Sequence, residues 1–147
     1  MQFLPIVAAG DCEKVFGQFQ NVRGSAFAAG DAVVLDSGAS VDGARVTVAT
    51  TATLSLFIGI CATAIANSAY GQVQIYGYCP VANVLNDVTT AQTVGNILLP
   101  ANGAITLGGA SGSVASDGKS GYVYALEVFT TQTTPAALPK KVFLRAM

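Results

Sequence analysis

Short runs of aliphatic and β-branched residues, each closed by glycine, asparagine, aspartate or proline, recur along the whole chain, and almost no stretch holds an apolar stripe at helical spacing. That punctuation confines the chain to folds assembled from short strands. Asp31–Asp36 reads DAVVLD between Ala28-Ala29-Gly30 and Ser37-Gly38, and Arg45–Thr53 alternates with many threonines and valines. In Leu54–Ile60 the even positions Leu54, Leu56, Ile58 and Ile60 are apolar and predict a core-facing side, with Ser55, Phe57 and Gly59 on the other. Gln72–Tyr78 alternates more cleanly, setting Val73, Ile75 and Gly77 against Gln72, Gln74, Tyr76 and Tyr78. Val94–Leu99, Ile105–Leu107, Tyr122–Thr130 and Val142–Arg145 are strand-like, separated by turn chemistry such as Pro100-Ala101-Asn102-Gly103 and Ser116-Asp117-Gly118-Lys119. Val81–Thr93 carries a one-sided stripe of Val81, Val84, Leu85 and Val88, but its asparagines, aspartate and threonines compete with helical hydrogen bonds and predict a loop or one short turn.

The expected fold class is therefore all-β: a compact β-barrel or sandwich with Gly-rich loops, in a single β domain over residues 25–147. Residues 1–24 read as an extended N-terminal arm. A faint internal echo accompanies this: Gly30-Asp31-Ala32-Val33-Val34-Leu35 leads to Gly59-Ile60 much as Gly95-Asn96-Ile97-Leu98-Leu99 leads to Gly121-Tyr122-Val123-Tyr124, so two similar β units could build one pseudo-symmetric barrel.

Chemistry is thinly represented. The 147 residues contain no histidine and no tryptophan, and 10% are charged against 52% hydrophobic. Without histidine the chain lacks the commonest general base and the commonest metal ligand. Seven basic and eight acidic residues are scattered singly, giving a formal net charge of -1 and no stripe for phosphates or anionic lipid, so neither nucleic acid nor a membrane is an expected partner. Leu54–Ala66 is 13 residues long, short of the about 20 that a bilayer-spanning helix needs. The amino terminus lacks the positive region of a secretory signal, and none is expected. So apolar a chain must bury surface in an aliphatic core or against other subunits.

Cys12, Cys61 and Cys79 form no C-x-x-C pair. A hairpin closing around Asn67 would place Cys61 opposite Gln72 and Cys79 at the far end, beyond the roughly 4.4–6.8 Å Cα separation of a disulfide, which predicts free thiols. Most acids sit beside glycine, as in Gly10-Asp11, Gly30-Asp31, Asp42-Gly43 and Asp117-Gly118, where aspartate bonds its own backbone in a turn. Glu127, inside YVYALEVF, is expected as an outward charge or an interface ion pair. Gly108-Gly109-Ala110-Ser111-Gly112-Ser113 lacks the Gly-Lys-Ser/Thr ending of a phosphate loop and reads as a connector, and a serine nucleophile has no histidine to serve it. No catalytic residue, metal site or cofactor is expected.

The progression AAGDAVVL, LFIGICATAIA, GQVQIYGYC, VGNILLPANGAITL, GKSGYVYALEVF and a late VFL, over roughly residues 25–145, resembles small capsid decoration, or cement, proteins of tailed bacteriophages. The resemblance implies a β domain on the exterior of an icosahedral virion, made in the host cytoplasm, acting as a homotrimer that bridges major capsid protein subunits. It gives no role to residues 1–24, whose Phe3, Leu4, Ile6, Val7, Val15, Phe16 and Phe19 are too apolar for a solvated tail and are expected to dock on a neighbouring subunit or the shell. Tyr76, Tyr78, Tyr122 and Tyr124 are the strand tyrosines expected at subunit interfaces. Two other readings compete: a carbohydrate- or receptor-binding β module stacking sugars on Tyr70, Tyr76 and Tyr78, and a small hydrolase using a carboxylate pair.

Overall fold

A computed structural model describes residues 13–38, 43–86, 91–109, 123–130 and 136–145. The strands are β1 (Lys14–Asn21), β2 (Ala32–Leu35), β3 (Arg45–Thr47), β4 (Phe57–Cys61), β5 (Tyr70–Asn86), β6 (Ile97–Pro100), β7 (Leu107–Gly109), β8 (Val123–Ala125) and β9 (Ala136–Arg145), with one 3-10 turn over Leu54–Leu56. The chain is all-β, as its punctuation predicts. All nine strands join one sheet in the order β1-β3-β2-β4-β5-β7-β6-β8-β9, and further pairings β1–β5 and β5–β9 close it into two rings that share β5.

Sharing is possible because β5 is 17 residues long and breaks register between Cys79 and Ala82. Its first half pairs with β1 (Gln18↔Gln72) and β4 (Cys61↔Val73), and its second half with β7 (Val84↔Leu107) and the start of β9 (Leu85↔Ala137). Each ring encloses apolar side chains. Phe19, Phe27, Val33, Val46, Cys61, Ile65 and Val73 fill the first; Val84, Leu98, Leu107, Val123, Ala125, Phe129, Val142 and Leu144 belong to a larger cluster that also takes Ala32, Val34, Phe57 and Ile60 from the outer side of the first. β2 lies between the two clusters and is buried on both sides, which is why DAVVLD reads as a continuous apolar run rather than an alternation.

The rings are copies of one unit. Ala32↔Ile60 and Val33↔Gly59 in β2–β4 correspond to Ile97↔Tyr124 and Leu98↔Val123 in β6–β8. Leu35↔Val46 corresponds to Pro100↔Leu107, and Cys61↔Val73 to Ala125↔Val142. The isolated bridges Phe27↔Ile65 and Gln92↔Phe129 take the same place in each copy. The echo in the sequence is thus a repeat of hydrogen-bond pattern. One core position differs in kind: where the first ring buries Phe27, the second buries Gln92, whose Oε1 accepts from Asn96 Nδ2 at 3.1 Å.

Several expectations need correction. Lys14–Asn21 is a strand of the chain's own sheet, so the extended arm expected over residues 1–24 is, over this part, integral to the first ring; Phe19 fills that ring and Asn21 ties it to Ile65 O. Residues 1–12 lie outside the described residues. Residues 81–86 continue β5 rather than forming a loop, because β9 and β7 supply the backbone partners that their polar side chains seemed to forbid. In the 54–60 segment Leu54–Leu56 turns in a 3-10 step, and Phe57 enters the core while Ile58 is half-buried. Cys61 pairs with Val73 rather than Gln72: the one-residue shift puts two buried side chains in the same cluster. Arg45–Thr53 is strand only to Thr47.

Candidate interaction surface

The bulged middle of β5 lies beside the turn before β2, and between them is an apolar groove of about 290 Å³ lined by Phe16, Ala29, Gly30, Cys61, Ala62, Gln74, Cys79, Pro80 and Val81. Gly30 has φ +91°, and a Cβ there would come within 2.9 Å of Val81 O, so only glycine lets turn and strand approach this closely. Asp31 holds the turn: Oδ2 accepts from Ala28 N at 2.8 Å and Oδ1 from Asn83 Nδ2 at 2.8 Å, spending the carboxylate on structure. Gln74, 4% exposed, donates from Nε2 to Tyr78 O at 3.0 Å and Tyr76 O at 3.2 Å, so its amide nitrogen is spent on the backbone of β5. Phe16 at 46% and Val81 at 47% exposure form the rim, and among the described residues no charged side chain lines it.

A second apolar area lies at the matching place on the other copy. Gly95 N donates to Ala125 O at 2.8 Å just as Gly30 N donates to Cys61 O at 2.8 Å. These bonds and the two bridges align Ala29 with Val94, Ala62 with Leu126 and Ala64 with Val128. Val94, Leu126 and Val128 are 60%, 39% and 59% exposed. Between the last two, Glu127 is partly exposed, 3.8 Å from Lys140 Nζ, and accepts from Lys141 N at 3.2 Å.

Of the residues expected at an interface, Phe16 lines the groove, Val15 is half-buried and Phe19 is core. Phe3, Leu4, Ile6, Val7 and Tyr122 lie outside the described residues. Tyr76 packs edge-to-face on Phe143, with centroids 5.5 Å apart, and Tyr78 faces Lys14 Nζ at 5.8 Å from its ring centroid. Tyr124 is half-buried on β8, whereas Tyr70 is 61% exposed. The described tyrosines therefore do not present one open platform. Pro80, Val81, Val94, Leu126 and Val128 were not legible as surface; the available signal was the apolar-charge-apolar run Leu126-Glu127-Val128, where a satisfied charge sends its neighbours outward.

Cys61 and Cys79 are free thiols at the inner wall of the groove. Burial pushes the Cys61 thiol up to about 12, and the Asp31 carboxylate adds to the rise. Burial also raises Cys79, opposed in part by a backbone hydrogen bond at Val81 and by Lys14. Cys12 lies outside the described residues. Among the described residues, no three histidine, cysteine, aspartate or glutamate side chains gather where they could hold a metal ion, and no helix is long and apolar enough to cross a membrane. Neither a family model nor a curated protein matches the chain.

Proposed function

We propose that this chain is a structural protein of a virion, a capsid decoration protein that acts by burying apolar surface rather than by catalysis. It would sit on the outer surface of an icosahedral shell as a homotrimer and bridge major capsid protein subunits, having been made in the host cytoplasm. The observation that carries this reading is the pairing of an uncharged groove at Phe16, Pro80 and Val81 with the exposed apolar patch at Val94, Leu126 and Val128. Such surfaces on a small domain mark protein contact. The resemblance of the strand progression to cement proteins of tailed phages names the kind of contact. Asp31, beside Gly30, and Asp36, two residues before Gly38, are spent on turns, which weighs against a carboxylate pair built from them. Packing of Tyr76 on Phe143 weighs against a sugar platform.

The test is to add the purified chain to its own virion's shells stripped of accessory protein. Saturable binding at a stoichiometry near that of the coat protein, together with resistance of the shell to heat or chelator, is the expected result. No binding to the shells, or selective binding on a glycan array, would overturn it.

A further inference from the structure

We propose that Asn102 is a site of self-modification, where the chain loses ammonia and gains an aspartyl or isoaspartyl residue with no enzyme acting on it. Of the six asparagines Asn102 alone precedes glycine, and a glycine nitrogen, with no side chain beside it, is unhindered toward the preceding carboxamide. The structure singles out the same residue. Asn102 and Gly103 are exposed at the tip of the turn from β6 to β7, which Ala104 N closes by donating to Ala101 O at 3.2 Å. A Cβ on Gly103 would meet nothing within 4 Å, so a ring has room to form there. Carboxamides elsewhere are tied: Asn21 Nδ2 donates to Ile65 O, Asn67 Oδ1 accepts from Gly24 N, Asn83 Nδ2 donates to Asp31 Oδ1 and Asn96 Nδ2 to Gln92 Oε1, whereas no described residue bonds the carboxamide of Asn102. In the reaction Gly103 N attacks Asn102 Cγ; the N–Cγ bond forms, the Cγ–Nδ2 bond breaks, and ammonia leaves with the proton of the glycine N–H. Water then opens the cyclic imide. Addition at Cγ breaks the new bond and leaves aspartate, while addition at the backbone carbonyl breaks the original peptide bond and leaves isoaspartate. One brake is built in: Gly103 N donates to Ala49 O at 2.8 Å, and Ala49 is 1% exposed, so the nitrogen attacks only when the turn opens locally.

The test is to incubate the purified full chain at mildly alkaline pH in heavy-oxygen water and follow it by peptide mass spectrometry. One heavy oxygen should enter at residue 102 before any other asparagine changes, and fragmentation should show aspartate and isoaspartate together. In guanidinium chloride the same conversion should run faster by roughly twofold or more, a factor that one lost hydrogen bond commands. Asn102→Gln should remove this product and leave the unfolding midpoint unchanged, since the exposed carboxamide holds no described residue. First conversion at another asparagine, or a residue 102 that keeps its amide while the chain ages, overturns the site. Equal rates in buffer and in denaturant overturn the brake at Ala49 O. None of these measurements uses a virion, so their outcome and that of shell binding are independent.

Discussion

Gly30 and Gly95 hold the same station in successive turns: their φ angles are +91° and +89°, and their N–H groups donate at 2.8 Å to Cys61 O and Ala125 O. Their surroundings differ, since a Cβ on Gly30 would meet Val81 O whereas nothing lies within 4 Å of the same point on Gly95. Gly95→Ala should therefore cost only the strain of a left-handed alanine, about 1–2 kcal/mol. Gly30→Ala should cost more, because backbone must move as well. Urea denaturation of the two variants gives the comparison, and equal losses would show that the contact with Val81 is not tight.

Asn21 is fully buried and donates through Nδ2 to Ser25 O at 2.8 Å and Ile65 O at 3.0 Å, while Oδ1 accepts from Arg23 N at 2.9 Å. Asn21→Ala strands these groups, and the expected loss is about 1–3 kcal/mol for each buried group left without a partner. Asn21→Leu should be no better, since size is not what the site lacks. Chemical denaturation monitored by tyrosine fluorescence measures both.

Val33 and Leu98 occupy equivalent core positions of the two rings, and both are 0% exposed. Leu98→Ala should cost about 2–5 kcal/mol, and Val33→Ala less, as fewer methyl groups are removed. Since the rings share β5, each variant should lower one common thermal transition. A calorimetric trace that splits in two would mean that the rings unfold separately.

Folded Cys61 holds its proton up to about pH 12, from an ordinary value of 9.0. An unfolded thiol ionises first, so the contribution of Cys61 to stability is complete below pH 9 and is lost as pH rises through the interval to 12. Cys79 is shifted in the same direction. Stability followed by denaturant titration should thus fall over this alkaline window, less steeply in Cys61→Ala. Both thiols should resist maleimide in the native chain at neutral pH and react in denaturant.

The boundaries legible in the sequence are those that local chemistry writes. β2 falls inside the predicted Asp31–Asp36 run because Gly30 and Ser37-Gly38 end it on both sides, and β6 overlaps Val94–Leu99 for similar reasons. β1 was hidden because Gly17 and its glutamines dilute the pattern, with Phe19 the one large side chain that reaches the core. The second half of β5 was hidden because Asn83 looks like a loop residue until Asp31, distant in sequence, takes its side chain at 2.8 Å. The repeat was audible in Gly-Asp-Ala-Val-Val-Leu and Gly-Asn-Ile-Leu-Leu, but its extent lies in backbone pairing that unlike side chains satisfy equally well. Of the residues at the groove and the exposed patch, Phe16 was legible by its apolar character; Val94, Leu126 and Val128 were not, since they fall in strand-like runs of the sequence while the structure has them in the turn before β6 and the segment after β8.

The single long strand common to both rings also decides how the molecule would carry load. Ladder hydrogen bonds of an antiparallel pair run across the strands, so a pull along β5 shears its bonds with β1 and β9 together instead of opening them one after another. Tension entering at Tyr70 is handed to Asn86 through continuous backbone, with no linker to stretch between the halves. In mechanical terms the chain is a rivet with one shank: it should yield abruptly and as a whole, and stay stiff until it does.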